Sequence, residues 1–181
     1  MARVLIVEGA DRGLRLATAL IAEGHAVRVV TSAPERCEQV EATGAECFVG
    51  TPDRLATLRG ALEHVTIACW LLAGASGDPH LLRALHGPRL EQFLCSAIDS
   101  TVRGFVYEAG GEVVAPETLA EGWRIVSETA TRNSIPAALI TADPLDFDAW
   151  IAQARVVVNR LLEGRDPGAE ARYANAYIPQ S

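Results

Sequence analysis

Arg3-Val4-Leu5-Ile6-Val7-Glu8-Gly9-Ala10-Asp11-Arg12-Gly13-Leu14-Arg15 opens the chain with a β-branched run, a turn holding two glycines, and the start of an apolar helix that continues through Ala17, Leu20 and Ile21. Strand, glycine turn and helix in that order make the first part of a βα unit. Outward from it the same alternation recurs. Strands are predicted at residues 3–7, 26–31, 45–49, 65–72, 104–107 and 137–141. Helices are predicted at 13–23, 34–43, 53–63, 79–100 (with or without a break at Gly87-Pro88), 116–133 and 147–162. The first, second and fourth strands are almost wholly apolar, as required when helices cover both faces of a sheet. The expected fold is therefore α/β: a doubly wound, mostly parallel six-stranded sheet in one domain over residues 1–164, followed by a tail, 165–181.

Composition narrows the chemistry. With 181 residues and 49% apolar residues the chain can bury one continuous core. A net charge of -7 leaves no basic excess for a phosphodiester backbone, so nucleic acid is not an expected partner. All 16 basic residues are Arg, and the absence of Lys excludes any mechanism built on a Lys ammonium or Schiff base. Cys37, Cys47, Cys69 and Cys95 show no metal-ligand spacing and are expected to be reduced core thiols of a cytoplasmic protein. The apolar runs are too short to span a bilayer, and residues 3–7 run into a glycine turn rather than a leader cleavage site.

In a doubly wound sheet the ligand crevice lies beyond the carboxyl ends of the strands, so functional residues should follow each strand. Glycines in the first turn let the backbone approach a pyrophosphate at a helix N-terminus, where N–H groups and the dipole favour negative charge. The alternative is a glycine turn of some other α/β domain.

The register of Gly9 and Gly13 resembles the TGxxxGxG turn of the short-chain dehydrogenase/reductase superfamily, with Arg15 in place of the third glycine. Leu71-Leu72-Ala73-Gly74 closes the fourth strand where that superfamily carries NNAG. Gly104-Phe105-Val106-Tyr107 and Ser134-Ile135-Pro136-Ala137-Ala138-Leu139-Ile140 resemble segments of its atypical, NmrA-like members. The resemblance runs from about Ala2 to Asp143. It implies a Rossmann-like domain binding NAD or NADP through Gly9, Asp11, Arg12, Gly13, Leu14, Ser32, Arg36, Ala73 and Gly74.

No acid follows the second strand, which ends Val30-Thr31-Ser32-Ala33. Arg12 sits where NADP-preferring relatives carry a basic residue, and Arg36 follows Ser32 by about one helical turn, so the expectation leans to NADP through guanidinium pairing with a 2′-phosphate. The alternative for both is a solvated surface arginine. Arg15 either obstructs the pyrophosphate or swings aside and neutralises it.

The superfamily's proton-transfer residues are missing. Its Tyr and Lys positions fall on Leu119 and Trp123, and its serine position falls within Glu108-Ala109-Gly110-Gly111. His80, His86, Asp78, Asp99, Glu108 and Glu112 are expected to be structural or solvated, and Tyr107 a buried or rim aromatic. The expected function is a nucleotide sensor, regulator or degenerate reductase. Rivals are an active NADP-dependent oxidoreductase or epimerase, acting on a small carbonyl substrate with water or Glu108 replacing Tyr, and a non-binding scaffold. A homo-oligomer or another protein partner is also expected.

Overall fold

The computed structural model describes residues 1–8 and 10–164; Gly9 and the expected tail lie outside the described residues. Among the described residues there are six strands: β1 (Arg3–Glu8), β2 (Ala26–Thr31), β3 (Glu46–Val49), β4 (Ile67–Leu71), β5 (Gly104–Glu108) and β6 (Ala137–Ile140). The helices are α1 (Ala10–Ala22), α2 (Cys37–Ala42), α3 (Pro79–Leu85), α4 (Pro88–Ile98), α5 (Pro116–Asn133) and α6 (Phe147–Leu162). All strand pairs are parallel in the order β3-β2-β1-β4-β5-β6. This is the doubly wound Rossmann-like sheet that the alternation predicts.

The period-2 geometry of each strand divides its side chains between two layers. Val4, Ile6, Val27, Val29, Ile67 and Cys69 pack with Leu16, Leu20 and Val40 and with the α6 residues Trp150, Ala154 and Val158. Leu5, Val7, Val30, Ala68, Trp70 and Phe105 face the other way, onto Leu85, Leu90, Phe93, Leu94 and Val126 of α3, α4 and α5. With both faces covered, the central strands have no polar side, which explains their apolar runs.

Several boundaries differ from expectation. Residues 53–63 form two 3₁₀ turns, Leu55–Leu58 and Gly60–Leu62, instead of an α-helix. The second of them is capped by the buried Arg28 of β2, whose Nη1 approaches the carbonyls of Gly60 (3.3 Å), Ala61 (2.7 Å) and Glu63 (3.2 Å). The segment at 34–43 likewise starts as a 3₁₀ turn, Pro34–Arg36, before α2. Residues 79–100 are divided at Gly87-Pro88, where a Cβ on Gly87 would lie 2.8 Å from the Arg83 carbonyl.

The cysteine expectation is corrected. Cys37 and Cys47 form a disulfide between the start of α2 and β3, with Cα atoms 5.4 Å apart. Parallel winding brings α2 back beside β3, so two residues that look unrelated in sequence become neighbours. Cys95 is free and exposed. Cys69 is a free core thiol as expected, and burial in β4 pushes its pKa up to about 12. No described helix is long and apolar enough to cross a membrane.

Candidate functional site

From β1 the chain winds outward through β2 to β3, then returns to the other side of β1 and continues outward from β4 to β6. The winding reverses between β1 and β4, and a sheet of this kind opens its crevice at that switch point. A cavity of about 700 Å³ lies there. The α1 end contributes Ala10, Asp11 and Arg12, and the residues after β4 contribute Ala73 and Gly74. Gly111, Glu112 and Val113 follow β5, and Thr141, Asp143, Pro144, Leu145 and Phe147 supply the far wall.

The turn that enters α1 is tight. Glu8 and Ala10 both take left-handed φ values, 63° and 46°, which non-glycine residues adopt at a cost of about 1 kcal/mol or more each. Gly13 is buried against the end of β1, and a Cβ there would lie 2.7 Å from the Glu8 carbonyl oxygen. The residue must be glycine because the helix packs on the strand backbone itself. The first residues of α1, Ala10, Asp11 and Arg12, line the crevice, where a helix N-terminus favours an anion.

Arg12 is buried, which corrects the solvated alternative. Its Nε donates to Glu108 Oε1 at 2.7 Å and its Nη2 donates to Oε2 at 2.8 Å. Glu108, at the end of β5, has no exposed surface and also accepts from the Ala73 amide (3.0 Å) and from Trp150 Nε1 (2.9 Å). The guanidinium crosses the switch point above β4, filling the space that a side chain on Gly74 would need: a Cβ there would lie 2.8 Å from Nη2. One carboxylate therefore ties α1, β4, β5 and α6 together beneath the cavity.

Arg15 stands aside from this floor. It is exposed and stacks its guanidinium over the Phe147 ring at 4.5 Å. Of the other expected ligands, Asp11, Arg12, Ala73 and Gly74 meet at the cavity. Leu14 is half-buried against the core, and Gly13 lies under the turn. Ser32 and Arg36 stand beyond β2, on the adjoining part of the same edge, with Arg36 Nη2 3.4 Å from Asp11 Oδ1. Gly9 lies outside the described residues.

Glu8 was not singled out as a ligand by the sequence. The register Val7↔Val30 sets it level with the end of β2, and it accepts hydrogen bonds from the backbone and hydroxyl of Ser32. Burial raises its pKa, against the lowering influence of Ser32 and of the Arg36 charge. Trp150, too, could be read from sequence only as an apolar residue of α6.

Among the remaining candidate proton carriers, Glu112 lines the cavity, whereas Tyr107 and His86 turn away from it. Tyr107 is fully buried, with its hydroxyl 2.6 Å from His86 Nδ1 and packed against Gly122 of α5. His86 Nε2 is 3.3 Å from the Leu72 carbonyl oxygen. Burial pulls the His86 pKa down to about 4, and burial together with the Glu108 charge pushes the Tyr107 hydroxyl above its ordinary range. His80 is exposed beside Arg83. Leu119 is buried against Ala73 and Val114, and Trp123 packs half-buried on the α5 side of the core.

No family model and no curated protein matches this chain by sequence. Solved structures do match its fold. A putative NAD-dependent epimerase/dehydratase from Bacillus halodurans superposes with a TM-score of 0.65 at 15% identity, covering 79% of this chain and 71% of that one. A short-chain dehydrogenase/reductase superfamily protein from Agrobacterium tumefaciens, with bound NAD, gives 0.61 at 18% identity over 77% and 48%. Triphenylmethane reductase from Citrobacter sp., complexed with NADP(H), gives 0.58 at 15% identity over 78% and 49%. The chain thus spans about half the length of these last two proteins.

Proposed function

We propose that this chain binds a nicotinamide dinucleotide along the carboxyl edge of β1, β2 and β4, and that it works as a sensor or regulator of that nucleotide or as a degenerate reductase. The observation that carries the reading is the cavity at the switch point, entered by a glycine turn packed so closely that Gly13 admits no side chain. The amides at the start of α1 would receive the diphosphate, over Gly13 and beside Arg12. Ala73 and Gly74 would face the nicotinamide half, and Ser32 the adenosine half. Arg15 is seated over Phe147 and is not among the residues that line the cavity. The folds that resemble this chain include proteins solved with NAD and with NADP(H), which supports the choice of ligand.

The regulatory part of the reading rests on where acids and bases lie. Glu108 is enclosed and receives four hydrogen bonds, so it has no lone pair aimed at a substrate. Tyr107 is held by His86 under α5. A second reading, an active oxidoreductase or epimerase, is favoured by the reductases and epimerases among the similar folds. It would draw its proton from water, since the cofactor itself carries the hydride chemistry. Any substrate would be enclosed by the loops after β5 and β6 or by a second copy of the chain.

Titration with NADH and NADPH, followed by nicotinamide fluorescence, tests binding, with saturation expected below millimolar ligand. Absence of binding by either nucleotide would leave the scaffold reading. A panel of carbonyl compounds added to the NADH- or NADPH-loaded protein separates the other two. Loss of the dihydronicotinamide absorbance at 340 nm, dependent on a carbonyl compound, would replace the regulatory reading with the active one.

A further inference from the structure

The lean toward NADP drawn from Arg12 and Arg36 depends on both guanidinium groups being free to meet a 2′-phosphate. Neither is. Arg12 points across the switch point into Glu108, away from β2, and is held by a bidentate pair. Arg36 is engaged at the surface by Asp11. Between them, at the junction of β1 and β2, stands the carboxylate of Glu8, hydrogen-bonded to Ser32. A doubly wound dinucleotide site that selects NAD places an acid beside the adenosine ribose, where it accepts from the ribose hydroxyls. In this chain the second strand offers no acid, but the first strand delivers one to the same corner.

We infer that Glu8 is the specificity-determining residue of the adenosine end and that, with Asp11 holding Arg36, it makes this crevice select NAD over NADP. The inference rests on the dinucleotide reading above and adds the identity of the cofactor to it. Its physical basis is charge. A ribose diol donates hydrogen bonds to a carboxylate, whereas a 2′-phosphate brings up to two negative charges to a half-buried corner that already holds one. The left-handed backbone at Glu8, with φ at 63°, turns the chain sharply at this point, so the placement is built into the turn.

Calorimetry of the full chain with NADH and NADPH in turn, on the wild type and on Glu8→Gln and Asp11→Asn, decides the matter. The wild type is expected to bind NADH at least about tenfold more tightly than NADPH. Glu8→Gln should narrow that ratio to within about threefold, because it removes the repulsion of the phosphate and weakens the acceptor for the ribose. Asp11→Asn, which frees Arg36, should raise NADPH affinity relative to NADH affinity severalfold. Equal or tighter binding of NADPH by the wild type overturns the inference, as does a ratio unmoved by Glu8→Gln. If neither nucleotide binds at millimolar concentration, the dinucleotide reading fails and this inference goes with it.

Discussion

Arg12 and Glu108 are 96 residues apart in sequence and form a bidentate ion pair across the mouth of the sheet, at 2.7 and 2.8 Å. Such a pair is not by itself a large source of stability, because both ions give up their hydration. Its consequence is positional: each partner commits the other. Removing one leaves a buried charge with no counter-ion, and the Ala73 amide and Trp150 Nε1 depend on the same carboxylate.

The first prediction follows from that dependence. Glu108→Ala should lower the unfolding free energy by about 3–5 kcal/mol, and Arg12→Met by a similar amount. The double variant Arg12→Met/Glu108→Ala should lose less than the sum of the two singles, since neither charge is then left alone. Urea denaturation of the four proteins measures this. Strict additivity would show that the pair is not coupled.

Gly13→Ala offers a test of the turn. Its Cβ would meet the Glu8 carbonyl oxygen, a backbone atom that cannot rotate away, so α1 must shift off β1. A destabilisation of about 1–3 kcal/mol is expected, together with weaker nucleotide binding. A comparison is Gly24→Ala in the loop after α1, where φ is 88° and nothing lies within 4 Å: it should cost about 1 kcal/mol through backbone strain alone and leave binding intact.

His86 predicts a dependence on pH. Its pKa is near 4 in the folded chain and near 6.5 when unfolded, so between these values the unfolded state binds the extra proton. Stability should therefore be unaffected by this group above about pH 6.5, fall as the pH drops toward 4, and level off below that, with a total loss on the order of 3 kcal/mol. His86→Gln should remove this component of the acid sensitivity. Unfolding free energies measured from pH 7 to pH 4 on both proteins provide the check, and identical slopes would place the acid sensitivity elsewhere.

The Cys37–Cys47 bond closes a loop with a sequence separation of only 10. Short loops give modest entropic gains, so Cys37→Ser/Cys47→Ser should reduce stability by about 2–3 kcal/mol. Thermal melts of the wild type with and without a thiol reductant should differ in the same direction, and the double variant should not respond to the reductant.

Much of the candidate site was legible before folding. Gly13 marked the entry to α1, and Ala73-Gly74 marked the end of β4, because glycine is what close backbone approach demands. The role of Glu108 was only half legible. A lone acid ending an apolar strand announces something unusual, yet no local rule names its partner. Arg12 was assigned to the adenosine side because NADP-preferring relatives carry a basic residue at its position, whereas its side chain reaches the opposite way, to Glu108. Glu8 was passed over because acids were sought after β2, and only the parallel register brings β1 to the same corner.

By itself the sequence determined the order of elements, the covered sheet and the edge on which the crevice opens, because periodicity and turn chemistry are local properties of the chain. Only the tertiary structure decided which charges meet. Arg12 with Glu108, Arg36 with Asp11 and Cys37 with Cys47 are pairings between separate elements. Which of them forms depends on strand order and helix placement, since an ion pair or a disulfide is set by distances of a few ångströms that no spacing along the chain encodes.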